Sequence, residues 1–413
     1  MINQGGHLSE QFRIFRGCRQ GDPLSPYIFI LCIEILSILI KNNKNIEGVV
    51  INDKEMKISL YADDVSLILN GSEKSLRESL RTLNRFSEIS GLYINYEKTE
   101  VIWIGCKKFC TESLCHDYSL EWGKSNFKLL GVKFDVNLKK MIDLNYDSKL
   151  ISMKNISNNW KRRNLTPYGK IVVIKSLALS IFTHLFISLP SPSTSRVKDI
   201  EKHLYSFIWN GKPDRIKRNI MVKDYSDGGL NMIHVSAFIK KLKLSWVRDF
   251  LFKDKSWKYI QKSIDKNKLF NCGPEYAIQK FKLISNCFWR DILQIWGDFC
   301  EKVEFESKPV ALTPIFFNKN IRVNNKCIYF KSWADKQIFY VNDIIDTNGN
   351  FYSYNEFQEI FDVGTNFIDY YSVVSSIKQW LRTSGKTNNL CKLPYPMKRY
   401  PIFYYQIFNL FPK

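Results

Sequence analysis

The sequence predicts an α+β protein: an incomplete ferredoxin-like unit, then a basic helical region, then a mostly helical C-terminal part. Three observations carry this reading. Apolar residues alternate with period two on both sides of YADD at 61–64. They recur at helical intervals in the segment that follows, and from about residue 140 the helical pattern becomes strongly basic.

Residues 1–15 suggest a short hairpin turning at Gln4-Gly5-Gly6, with Phe12 and Ile14 pointing one way. GCRQGDPLSPYIFILCIEILSILI starts with turn chemistry and continues as a helix: Asp22 or Ser25 can cap it, and Pro23 or Pro26 suits its first turn. Ile58 and Leu60, then Val65, Leu67 and Leu69, predict a tight hairpin with Asp63 and Asp64 at or beside its turn. Leu76, Leu80, Leu83 and Phe86 mark the next helix, between a Ser72 N-cap and a Gly91 C-cap. LYIN and EVIWIG are expected to return as strand. Residues 12–105 thus hold most of a split βαβ unit, one strand short at its start.

After a loop at 106–124, FKLLGVKFD predicts a strand pair turning near Gly131. Ile156 and Trp160 share a helix face, and Thr166-Pro167 opens another helix carrying Lys170 and Lys175. VKDIEKHLYSFIWNG is amphipathic through Ile200, Leu204, Phe207 and Ile208, and GGLN at 228–231 marks a tight turn. Residues 241–413 are rich in Trp, Tyr and Phe without a chemical motif. The boundaries drawn are 1–105, 106–139, 140–240 and 241–413.

A chain of 413 residues can hold two or three domains, and a hydrophobic content of 45% argues against disorder. The charge balance, 61 − 40 = +21, favours a polyanionic partner such as nucleic acid; the alternative is a protein whose lysines only fill solvated faces. Ten cysteines without a CxxC pair suggest reduced thiols in an intracellular, nuclear or cytoplasmic protein. Cys106, Cys110, Cys115 and His116 could make a zinc site, but adjacent Cys115 and His116 do not readily face one metal. The polar N-terminus resembles no signal peptide, so secretion is not expected. Two apolar runs, one holding Glu34 and one holding Lys175 and His184, are expected to be buried helices and not membrane spans.

An acidic pair on a hairpin in a basic chain acquires a purpose if it binds metal. Mg²⁺ takes hard oxygen ligands, typically one or two carboxylates with substrate phosphates. Two such ions held about 4 Å apart can activate a 3′-hydroxyl and stabilise a leaving pyrophosphate. The alternative is a solvated turn, where Asp is common.

RGCRQGDPLSP, YADD, SGLYINYEKTE and LLGVKFD occur in that order at compatible spacings, followed by W-KRRNLTPYGKI, SFIWNG and DGGLN. This set resembles the reverse transcriptase of non-LTR (LINE-type) retrotransposons over about residues 2–250. The resemblance implies a right-hand polymerase palm followed by a helical thumb, and RNA-directed DNA synthesis from an RNA template, a DNA primer and dNTPs, with two Mg²⁺ or Mn²⁺ ions. It implies that Asp63 is the main metal ligand, with Asp64 a second ligand or electrostatic helper, and that Tyr61 lies near the primer end. Arg19, Gln20 and Gly21 would lie against nucleotide and template, Gly21 because a side chain would obstruct a base pair. Lys98 would approach the phosphates as a proton donor, or be a solvated strand-end lysine. Gly131 and Phe134 would shape a primer grip, or form a plain turn. Arg162, Arg163 and Lys170 would touch the template–primer backbone, or line a solvated helix face.

The sequence departs from the family in one large respect. The family uses another catalytic aspartate on an earlier strand, whereas the 18 residues before Arg19 contain no Asp. The endonuclease domain and the Cys-rich knuckle of such elements are also absent, as in the C-terminal part of a longer polyprotein. The resulting expectations are negligible polymerase activity from this chain alone and a sticky or marginal palm with unpaired strand edges. A nucleic-acid-binding remnant without chemistry, an intron maturase and a fragment without function are the alternatives.

Overall fold

The computed structural model describes residues 3–11, 13, 17, 21–51, 54–123, 126–135, 137–252, 264–306, 310–385 and 390–393. The expected positions of Phe12, Ile14, Arg19 and Gln20 lie outside these. The chain divides into two compact units, Met1–Met141 and Ile142–Lys413.

In the first unit, β1 (Asn3–Gln4) and β2 (His7–Leu8) form a small hairpin across Gly5-Gly6. Helix α1 (Ser25–Asn42) begins after an Asp22 turn, in which the Asp22 carboxylate accepts the Leu24 N–H at 2.9 Å, and Pro26 sits in its first turn. β3 (Val49–Ile51) and β4 (Lys54–Met56) form a hairpin not anticipated from the sequence, although the β-branched Val49, Val50 and Ile51 favour a strand. β5 (Ile58–Tyr61) and β6 (Asp64–Leu67) form the predicted acidic hairpin, and α2 (Glu73–Ser90) follows. The caps of α2 are the predicted ones: the Ser72 side chain accepts the Ser75 N–H, and Gly91 takes the left-handed φ of 72°. β7 (Asn126–Leu129) and β8 (Val132–Asp135) turn through Leu130 and Gly131, with φ of 48° and 82°; two positive φ values match the right-handed twist of the strands.

No ferredoxin-like sheet forms among the described residues. Each hairpin is its own two-stranded sheet among the described residues. LYIN and EVIWIG are not strands either. The Asn95 side chain and carbonyl both accept the Lys98 N–H, which winds Tyr96–Lys98 into a 3₁₀ turn. Glu100 then makes a single parallel bridge to Glu121. The loop beyond residue 105 is irregular as expected after a 3₁₀ turn at Gly105–Lys107, and it packs on α2, with Cys115 buried against Leu76 and Leu80. Arg77 of α2 holds Asp117 as well as Glu73, and Trp103 meets Trp122 at 5.6 Å.

Helix α1 corrects a second expectation. Leu36, Ser37 and Ile40 are buried, but Tyr27, Leu31 and Ile35 on the opposite side are exposed, Leu31 to 70%. The helix is long and apolar enough to cross a membrane by length and composition alone. The β5–β6 hairpin and α2 cover one side of this largely apolar helix, and the other side stays open.

The second unit opens with α3 (Leu138–Lys161), most of which belongs to it, then α4 (Pro167–Val173), a π-turn at Ile174–Ala178, and α5 (Ser180–Ser188). Thr166 caps α4 as predicted, accepting the Gly169 N–H at 3.2 Å. The second apolar run is mostly buried through Ile171, Ile174, Phe182 and Phe186, but it bends by 45° between Pro167–Ala178 and Ser180–Ser188. α6 (Thr194–Ile208) buries the four residues that the sequence assigned to its inner face. The chain continues through α7 (Arg218–Met221), α8 (Val235–Phe252), α9 (Lys266–Asn271), α10 (Glu275–Leu283) and α11 (Cys287–Glu306). A short hairpin of β9 (Arg322–Val323) and β10 (Lys326–Cys327) precedes α12 (Lys331–Asp335), α13 (Tyr354–Phe361) and α14 (Phe367–Thr383). One apolar core runs from Leu244 on α8 to Leu381 on α14.

Candidate metal-binding hairpin and basic surface

The acidic hairpin is anchored at its base and open at its tip. Ile58 and Leu67 face each other across the strands and pack against Leu36 and Ile40 of α1 and Phe86 of α2. One step further out, Leu60 faces Val65, and the exposed Tyr61 faces Asp64. Ala62 and Asp63 make the turn, with Ala62 at a φ of 50°. An alanine held there is strained by about 1–2 kcal/mol. Asp63 and Asp64 are both exposed. Among the described residues no lysine or arginine forms an ion pair with either, so neither carboxylate serves the fold.

Lys57 fixes how the hairpin leaves α1. Its buried ammonium donates to the carbonyls of Lys41 at 3.3 Å and Asn43 at 3.0 Å, at the C-terminal end of that helix. Glu55 completes the set at 3.3 Å, its carboxyl held below its usual range first by the Gly48 N–H and also by Lys57. Gly48 is required, because a Cβ there would lie 2.2 Å from the Met56 carbonyl oxygen.

The other expected residues of this unit are spread over separate elements. Gly21 precedes α1 with a φ of 90°, and an added Cβ would meet nothing within 4 Å, so the backbone and not crowding within this chain demands glycine. Lys98 ends the 3₁₀ turn and is exposed, with no hydrogen bond or ion pair to Asp63 or Asp64 among the described residues. Gly131 forms the corner of the β7–β8 hairpin, where Phe134 stacks on its cross-strand partner Phe127 at 5.1 Å. The zinc site that the sequence allowed but disfavoured has no counterpart here: Cys106 is exposed, Cys115 is buried, and no group of three or more His, Cys, Asp or Glu that could hold a metal exists among the described residues.

In the second unit Arg162 and Arg163 are exposed just beyond α3, with the Arg163 guanidinium 4.4 Å from the Trp160 ring centre. Lys170 stands apart from them and corrects its expected role. Only 4% exposed, it donates to the Ile208 carbonyl at 3.1 Å and to Asn210 Oδ1 at 2.6 Å, closing the end of α6. Desolvation, and then Lys161, lower its pKa. An ammonium committed to two internal acceptors is withdrawn from any phosphate. The sequence reading missed this because burial of a helix-face lysine has no local signature.

Residues 2–134 match the reverse transcriptase (RNA-dependent DNA polymerase) family. Over 355 residues the chain is 22% identical to an uncharacterized 149 kDa protein of transposon TX1 from Xenopus laevis, an alignment covering 80% of this chain and 26% of that protein. Over 94 residues it is 30% identical to the retrovirus-related Pol polyprotein from type-1 retrotransposable element R2 of Popillia japonica, covering 23% and 13%. A 56-residue stretch is 46% identical to an uncharacterized mitochondrial protein of Arabidopsis thaliana, covering 12% and 46%. The chain therefore spans less than half the length of each of these relatives.

Proposed function

We propose, for a chain whose residues 2–134 belong to the reverse transcriptases of non-LTR retrotransposons, that it takes part in RNA-directed DNA synthesis through Asp63 and Asp64. The observation that supports this is the exposed carboxylate pair at the tip of an anchored hairpin, free of any structural ion pair among the described residues. Hard carboxylate oxygens suit Mg²⁺ or Mn²⁺. Ions bound there would supply activation of a primer hydroxyl and stabilisation of the leaving pyrophosphate. Tyr61 beside Asp64 would border the primer end, Gly21 and the Arg19-Gln20 segment the nucleotide, Gly131 and Phe134 the primer strand, and Lys98 would hold a proton for the pyrophosphate. Arg162 and Arg163 would hold the backbone of the template–primer.

Two carboxylates make one side of a two-ion centre, and no third ligand joins them among the described residues. The chain is therefore expected to bind an RNA–DNA hybrid in a salt-sensitive manner and to extend its primer negligibly unaided. Primer extension and hybrid binding on the same preparation test both halves. Template-dependent extension abolished by Asp63→Ala would overturn the one-sided centre. Failure to bind hybrid at low salt would overturn the assignment itself.

A further inference from the structure

We propose that the second unit carries a surface for unpaired nucleotides, formed by the start of α4 and the loop that follows α6. Two stretches of sequence some forty residues apart build it. Between Asp147 and Asp199 the chain contains no acidic residue, and Lys161, Arg162 and Arg163 fall within that stretch. After α6, Lys212, Arg215, Lys217 and Lys223 are exposed and form no ion pair among the described residues. Arg218 is the exception: it is held by Asp214 at 2.7 Å and lies over Tyr205 at 4.2 Å.

The fold brings these stretches together twice. Lys170 of α4 is bound to Ile208 and Asn210 at the root of the loop. Tyr168 of α4 meets Tyr225 of the loop with ring centres 5.6 Å apart, and the two residues are 52% and 48% exposed. The loop has a defined shape. Leu230 and Met232 both donate to the Met221 carbonyl, and Asn231 donates to that of Lys223. Gly229 passes so close to Lys223 that a Cβ would lie 1.9 Å from its carbonyl oxygen, which explains the GG pair of this turn.

Uncompensated cations select a polyanion, and two half-exposed rings among them select one with free planar faces. Bases in a duplex are already stacked, so unpaired nucleotides fit and paired ones do not. The inference is independent of the metal reading of Asp63 and Asp64.

The test is fluorescence anisotropy of the full chain with a labelled oligonucleotide of about 12 nucleotides, as RNA, as DNA and as duplex. Tyr168→Leu/Tyr225→Leu is expected to weaken single-strand binding by about 5- to 100-fold and to leave duplex binding unchanged, while Tyr168→Phe/Tyr225→Phe retains it. Lys212→Ala/Arg215→Ala/Lys217→Ala is expected to lower the salt slope by about 2 on the single-stranded probes. Glu359→Gln, at an exposed position of α13, serves as the unaffected control. Parental single-strand affinity in the leucine variant, equal losses on single strand and duplex, or equally tight binding of polyglutamate by the unaltered chain would each overturn the proposal. Photocrosslinking of bromouridine RNA to the unaltered protein requires no folded variant. Crosslinks within 160–170 or 210–227 support the surface, and crosslinks confined to other peptides overturn it.

Discussion

The two units bury apolar surface in opposite ways. The second holds a large aromatic core between Leu244 and Leu381, in which Trp333, Phe357 and Tyr370 are fully buried, with rings 4.9 Å apart for Trp333–Phe357 and 4.6 Å for Phe357–Tyr370. Its polar handles are satisfied: the Trp333 indole donates to Thr365 at 2.6 Å and the Tyr370 hydroxyl to the Tyr352 carbonyl at 2.7 Å. The first unit has small separate clusters around Leu36, Ile40, Ile46 and Phe86 and around Leu76, Leu80 and Cys115, and an apolar helix open on one side. The acidic pair therefore sits on the thinly supported unit. On the proposed reading, the metal-binding pair and the large aromatic core are segregated along the chain.

The largest effect that could break this comparison is a cavity in the second core. Trp333→Ala should cost about 3–5 kcal/mol. Phe86→Ala, beside a cluster that can collapse, should cost less. Urea unfolding read by hydrogen exchange in each unit gives both values, and the reverse ranking would refute the contrast.

A pH experiment comes next. Lys243 on α8 is fully buried, donating to the Leu189 carbonyl, 3.7 Å from Asp291 and over the Phe288 ring at 4.5 Å. Desolvation pushes its pKa down to about 8, against the opposing pull of Asp291. The unfolded chain keeps that proton up to about 10.5, so between these values the unfolded state binds more protons and stability rises with pH, by about 3 kcal/mol in all. Below pH 8 this group contributes no slope. Lys243→Met should flatten the rise, whereas a slope unchanged by the substitution would show that the lysine is not the titrating group.

The smallest expected effect concerns the site. Asp63→Asn/Asp64→Asn should change stability by no more than about 0.5 kcal/mol, because both side chains are exposed and unpaired within the described fold. A larger loss in thermal unfolding would mean that the pair supports the hairpin, and the segregation of fold from chemistry would fail.

What was legible in the sequence was local. The acidic hairpin, the Ser72 and Gly91 caps, the Thr166 cap and the Gly131 turn are each written within a few residues, where period, cap chemistry and positive φ decide the outcome. What was missed depends on distant partners. LYIN alternates like a strand, but Asn95 captures the Lys98 N–H first. The exposed side of α1 is as apolar as the buried one, so periodicity could not tell them apart. The three buried lysines among the described residues share one use that sequence does not announce. Lys57, Lys170 and Lys243 each close the C-terminal carbonyls of a helix, α1, α6 and α5 respectively. Basic residues in this chain thus divide between internal caps and the exposed surface, and only coordinates separate them.

The most direct measurement replaces Mg²⁺ with Fe²⁺ in the presence of ascorbate and peroxide and maps where the polypeptide is cut. Metal held by Asp63 and Asp64 predicts cleavage within residues 58–67, competed by excess Mg²⁺ and lost in Asp63→Asn/Asp64→Asn. Cleavage that persists in that variant, or that falls only in other segments, would contradict the account.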